Sequence, residues 1–231
     1  MKRGFIRALW GVFDDSHRVT NRRFRVSRNI QEVLKNKHKV PFETFVFGEK
    51  NFDELKSSGI DATLLDKEPF RFDLIKHQYR NKIEILSEAM EKYDEIVYLD
   101  WDVSQRRELP EDFWDKCGER APIQACLQQY HRRKCTWRKQ DIRKVPNGGF
   151  LYIRDKKLVE RAKYWWGKHQ QDNDEIAWSR VIDELMEGWN GPEDFWDNYE
   201  TMYCNLYGHY GHPVDKIKQK EFVFRHFQGG T

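Results

Sequence analysis

Long apolar runs are missing from this 231-residue chain. No stretch approaches the roughly 20 apolar residues that a bilayer-crossing helix needs, so a membrane span is excluded. Cysteine is scarce and unpaired in pattern. Cys117, Cys126, Cys135 and Cys204 form no C-x-x-C pair, which argues against a structural zinc site and for reduced, buried thiols. There is no N-x-S/T sequon, and the basic opening MKRGFIRALWGVFDD meets Asp14 and Asp15 too early for a secretory leader. Both absences lead us to expect a cytoplasmic protein. Pro and Gly are few, at 7 and 14, and nowhere collect into a linker, so one compact domain over residues 1–231 is expected.

What is present is charge and aromatic mass. Charged residues make up 34% of the chain against a mean hydropathy of −0.92, which demands a strongly polar surface. Aromatics reach 15%, nine of them Trp, and supply a core. The net charge of +3 conceals an asymmetry: residues 131–144 carry seven Lys/Arg against one Asp, whereas 172–200 is mainly acidic. The basic segment is read either as a contact for phosphate groups or as a solvated loop.

Short apolar runs alternate with longer amphipathic segments in the first half, the pattern of a sheet fed by crossover helices. Strands are expected over 5–13, 42–48, 60–66 and 95–100, with helices over 22–36, 52–58 and 73–92. Leu74, Ile75, Ile83, Leu86, Ala89 and Met90 mark the buried face of the last helix. The second half reads as strands near 121–127, 149–153 and 221–227, with helices near 155–169 and 174–187. PEDFWD occurs at 110–115 and again at 192–197, and the unmatched flanks mark it as local convergence on a helix start.

The chemistry is concentrated where EIVYLDWD runs from an apolar strand into two acids. Asp100 and Asp102 fall at the carboxyl end of a buried strand, the edge at which open α/β sheets bind ligands. Carboxylates separated by one residue can grip a hard cation, and two such charges beside a buried strand need compensation. PNGGFLYI (146–153) places Asn147, a donor and acceptor, beside Gly148 and Gly149, where a ligand can approach the backbone. DNDEIAWSRVI puts Asp174 and Glu175 at a helix start, read either as capping and dipole complementation or as sugar contacts. RHFQGG near the end offers the His226 imidazole, a ligand for borderline divalent metals, next to glycines.

In that order and spacing, YDEIVYLDWD, NGGF and HFQG resemble the GT-A fold glycosyltransferases, particularly the retaining, glycogenin-like group. The resemblance implies a single α/β, Rossmann-like domain with a mainly parallel central sheet flanked by helices. Residues 1–102 would form the nucleotide-binding half and 103–231 the acceptor-binding half. It implies Mn²⁺, or Mg²⁺, on Asp100, Asp102 and His226, bridging the diphosphate of a nucleotide-sugar donor, UDP-linked in this reading. Asn147 and Gly148 would border the donor sugar, Asp174 and Glu175 would act at the reacting centre, and Gly229 would lie near phosphate. Lys76, Arg80 or a residue of the 132–144 loop would help the leaving diphosphate. Trp10, Asp66 and Trp101, the last read as packing between the two acids, complete the expected donor-side set. The acceptor would be a hydroxyl of a glycan, a protein or a nucleic acid. Two other readings remain open. LDWDVS also resembles the strand end of a haloacid-dehalogenase-like phosphatase. Arg132, Arg133, Lys134, Trp137, Arg138 and Lys139 suit a nucleic-acid-binding module.

Overall fold

A computed structural model of the chain describes residues 1–10, 29–69, 79–128, 145–168, 174–191, 194–199, 201–207 and 222–227. In chain order the elements are β1 (Arg3–Leu9), α1 (29–37, its Val33–Lys37 part wound as a π-helix), β2 (Phe42–Val46), α2 (Glu49–Ser57), β3 (Ala62–Leu64), α3 (Arg80–Lys92), β4 (Glu95–Leu99) and β5 (Val103–Gln105). Then come α4 (Phe113–Gly118), β6 (Ile123–Gln128), β7 (Val145–Ile153), α5 (Lys156–Lys168), α6 (Asp174–Glu187), α7 (Phe195–Tyr199), β8 (Cys204–Tyr207) and β9 (Phe224–Phe227).

The main sheet has the order β3-β2-β1-β4-β7-β6. Its first four strands are parallel, β7 pairs antiparallel with β4, and β6, antiparallel to β7, runs in the direction of the first four. The fold is therefore the mixed α/β, mostly parallel architecture expected from the alternation of runs. The chain moves outward from β1 to β3 and then returns to the other side of β1 with β4. That reversal creates the crevice in which doubly wound sheets take ligands.

Both faces of the sheet are covered, which is why its strands are almost continuously apolar. Side chains alternate between faces along a strand, so Ile6, Ala8, Ile96 and Tyr98 enter a core shared with α3, α5 and α6. Phe5, Val97 and Leu99 enter a second core with Phe113, Trp114 and Phe224. Ile83, Leu86, Ala89 and Met90 are buried on α3 as their spacing requires, while Leu74 and Ile75 lie outside the described residues.

A second sheet, β5-β9-β8, was not foreseen in full. Of its strands only β9 is anticipated by sequence. Strands of three and four residues are too short for a period-2 pattern to register. This small sheet is nonetheless what closes the site, because β5 follows β4 after one tight turn and pairs antiparallel with β9.

Candidate functional site

Asp100 leaves the end of β4 with its backbone satisfied on both sides. Its amide donates to Gly149 O at 2.8 Å and its carbonyl accepts from the Val103 amide at 3.0 Å. The first bond extends the β4–β7 ladder, whose last pair is Leu99 opposite Phe150, and so brings Gly148 and Gly149 beside the acids. The Tyr98 hydroxyl, two residues earlier on the same face, donates to Asp100 Oδ1. The second ladder delivers the histidine. Val103 faces His226, and the imidazole Nε2 lies 2.9 Å from Asp102 Oδ1.

His226 is 4% exposed, and its Nδ1 is buried with no hydrogen-bond partner among the described residues. Burial alone would lower its pKa. The charge and hydrogen bond of Asp102, with Asp100 behind it, outweigh that and hold it above the ordinary imidazole value. Ligand atoms of Asp100, Asp102 and His226 all lie within 4.8 Å of one another. Two carboxylates and an imidazole with an unsatisfied buried nitrogen fit a borderline divalent ion such as Mn²⁺, with Mg²⁺ served mainly by the oxygens.

A lysine that sequence reasoning passed over stands behind this cluster. Lys82, near the start of α3, places Nζ 2.9 Å from Asp174 Oδ2 and 3.7 Å from Asp100 Oδ1, with its side chain 2% exposed. Its ammonium also lies over the rings of Tyr98, at 4.9 Å, and Tyr79, at 5.7 Å. Burial opposes the charge, but the two carboxylates outweigh it and hold the ammonium above its ordinary pKa. Burial likewise pushes the Asp174 carboxyl up, and the ammonium opposes it. With Lys82 held charged, Asp174 is the anionic partner of the pair.

The two glycines have a steric reason that their sequence context did not reveal. A Cβ on Gly148 would lie 2.7 Å from both Lys82 Nζ and Asp174 Oδ2, and one on Gly149 only 2.1 Å from His226 Cε1. They make room for the site's own side chains. Asn147 completes the turn by accepting from the Gly149 amide at 2.9 Å, and its Nδ2 reaches Glu175 Oε1 at 3.5 Å. Asp174 and Glu175 open α6, so its N-terminus points its first carboxylates at the cleft.

Together these residues line one open cleft of about 190 Å³: Tyr79, Lys82, Asp100, Asp102, Asn147, Gly148, Gly149, Asp174, Glu175 and His226. Trp10 borders it through an edge-to-face contact with Tyr79 at 5.7 Å. Three other candidates lie elsewhere. Trp101 packs away, its Nε1 donating to Ala8 O at 2.8 Å and its ring beneath the Arg7 guanidinium at 5.2 Å. Arg80 is drawn toward α5, donating to Lys163 O at 3.0 Å and pairing with Glu84. Asp66 is exposed beyond the end of β3 and does not line the cleft. Lys76, Gly229 and the basic segment 131–144 lie outside the described residues.

No protein-family model matches the chain, and no curated protein sequence matches it. Solved structures do. The chain is similar to galactosyltransferase LgtC in complex with donor and acceptor sugar analogues, with a TM-score of 0.59 at 16% identity over 97% of this chain and 87% of that one. An active-site mutant of LgtC matches with a TM-score of 0.59 at 15% identity, over 98% and 88%. At these identities the likeness is one of fold, and it covers nearly the whole chain.

Proposed function

We propose that this protein is a metal-dependent glycosyltransferase, moving a sugar from a nucleotide-diphosphate donor, UDP-linked in our reading, to a hydroxyl acceptor. The observation that carries the proposal is the meeting of Asp100 and Asp102, in the turn between β4 and β5, with His226 of β9, beside the carboxylates that open α6. The resemblance of LgtC, a galactosyltransferase solved with donor and acceptor sugar analogues, supports a sugar-transferring chemistry on this scaffold.

In this reading Asp100, Asp102 and His226 hold Mn²⁺ or Mg²⁺, which would supply positive charge to the leaving diphosphate. The chain's own groups orient the donor. Tyr79, in contact with Trp10, lines what this reading takes as the nucleotide side of the cleft, and Asn147 would border the sugar. Asp174 and Glu175 divide the remaining work. Asp174 is 3% exposed and locked to Lys82, which suits a group that anchors. Glu175 is half-buried at the cleft wall and is the carboxylate that meets sugar hydroxyls or the reacting centre. A retaining outcome follows from the resemblance to the glycogenin-like group. The acceptor is a glycan, protein or nucleic-acid hydroxyl. A phosphatase reading would leave His226, Lys82 and the α6 carboxylates without a role.

The test is a donor screen: hydrolysis or transfer from a panel of nucleotide sugars, with and without Mn²⁺. Cation-dependent release of nucleoside diphosphate from at least one donor is expected. Phosphate release from monoesters, with every nucleotide sugar left intact, would overturn the proposal.

A further inference from the structure

The cluster that the proposed function assigns to a divalent ion has a cation of the chain's own beside it. Lys82 is fixed rather than mobile: Asp174 anchors its Nζ at 2.9 Å, Tyr98 and Tyr79 box it with ring faces, and Gly148, where a Cβ would lie 2.7 Å from both partners, leaves room for the pair to close. It cannot relax into solvent, because its side chain is 2% exposed. Asp100 is thus shared. One of its oxygens lies 3.7 Å from the ammonium, and the same carboxylate belongs to the three-residue ligand set.

A like charge that cannot move away penalises any cation placed on that carboxylate, and the penalty is poorly screened in a cleft walled by protein. We propose that Lys82 sets the divalent-ion affinity of the Asp100–Asp102–His226 cluster, disfavouring a bare cation so that the cluster holds one firmly only together with a diphosphate. The two phosphate charges offset what the ammonium opposes, so ion and donor are taken up as a unit and the ion is not trapped after the diphosphate leaves. The inference rests on the transferase reading for its ligand set, but it concerns Lys82 and is tested by binding rather than turnover.

The experiment titrates Mn²⁺ alone, and Mn²⁺ with UDP, into the full chain, following loss of the free-ion signal by electron paramagnetic resonance. In the wild type, UDP should tighten Mn²⁺ binding by about 100-fold, the range over which sites typically couple. Lys82→Met should tighten binding of Mn²⁺ alone by roughly tenfold and shrink the gain from UDP, as expected when a like charge is removed from beside a divalent ion. Lys82→Arg keeps the charge and should stay near the wild type. Asp174→Asn keeps the ammonium, removes its anchor and should loosen Mn²⁺. General structural damage does not produce a tighter site, nor shifts of opposite sign in two variants. If Lys82→Met does not fold, Lys82→Gln, which also removes the charge and keeps a polar group for Asp174, takes its place and should likewise bind Mn²⁺ alone more tightly than the wild type. Unchanged or weaker binding of Mn²⁺ alone in the folded variant, with the wild-type gain from UDP intact, would overturn this proposal and leave the transferase reading standing. A wild type that binds no Mn²⁺ even with UDP would overturn both.

Discussion

His226 reaches Asp102, at 2.9 Å, through strand register: its ladder partner Val103 is the residue immediately after Asp102. Backbone pairing, rather than a loop, thus positions the imidazole. The contact is as rigid as the β5–β9 ladder, and a change that moves either strand moves a ligand.

Gly149→Ala should act on that contact without touching a ligand residue. The added Cβ would lie 2.1 Å from His226 Cε1, so the imidazole or the β7 backbone must shift. Overpacking of this kind costs about 1–3 kcal/mol, read as a lowered denaturation midpoint, and should weaken Mn²⁺ binding as well. A variant with unchanged stability and unchanged Mn²⁺ affinity would show that His226 has another place to go.

Nitrogen coordination by His226 can be observed directly. Pulsed electron paramagnetic resonance on the protein with Mn²⁺ and UDP should show nitrogen modulation that disappears in His226→Gln. Its persistence in the variant would assign the nitrogen to another group and remove His226 from the ligand set.

The legible parts of this site were those where local pattern and chemistry coincide. The run EIVYL ending in Asp100 announced a buried strand with acids at its carboxyl end, because both faces of β4 are covered and every residue of the strand is buried. Asp174 and Glu175 were legible as the first turn of a helix, and they do open α6. Lys82 was passed over because lysine on a helix ordinarily marks the solvent face. Its signal was its phase, since Lys82 stands one turn before Leu86 and in line with Ala89, on the buried stripe of α3. Arg80, two residues earlier, has the more familiar look of a phosphate-binding group, and in the structure it donates to Lys163 O of α5.

Gly148 and Gly149 are legible as a demand for close approach, and the structure shows that side chains of the site itself make one. No single-sequence pattern says whether the atom that would meet a missing Cβ belongs to a sugar or to Lys82, Asp174 and His226. The short strands β5 and β8 were illegible because their pairing is non-local and their length falls below one readable period.

The buried thiols bear on stability at high pH. Burial drives Cys117 from its ordinary 9.0 up to about 12, and burial with the neighbouring Cys126 thiol drives Cys204 up as well. A raised thiol pKa means that folding favours the neutral form. That contribution is intact below about pH 9 and is lost as pH rises toward 12. In a Cys135→Ser background, Cys117 and Cys204 should resist a disulfide reagent at pH 8 and react only on unfolding. Rapid labelling of either in the native protein would contradict their burial.

Whether Asp102 holds the ion that the transfer needs is decided by the rate of nucleoside diphosphate release from the preferred nucleotide sugar, measured with saturating Mn²⁺ for the wild type and for Asp102→Asn. The substitution keeps the side chain's shape but removes the charge that serves both the ion and His226. A fall of roughly 100-fold or more in kcat/KM is expected with a cooperative melt retained, in line with the loss seen when groups around a metal site are removed. Wild-type turnover by a folded Asp102→Asn variant, or turnover indifferent to chelation of Mn²⁺, would contradict it.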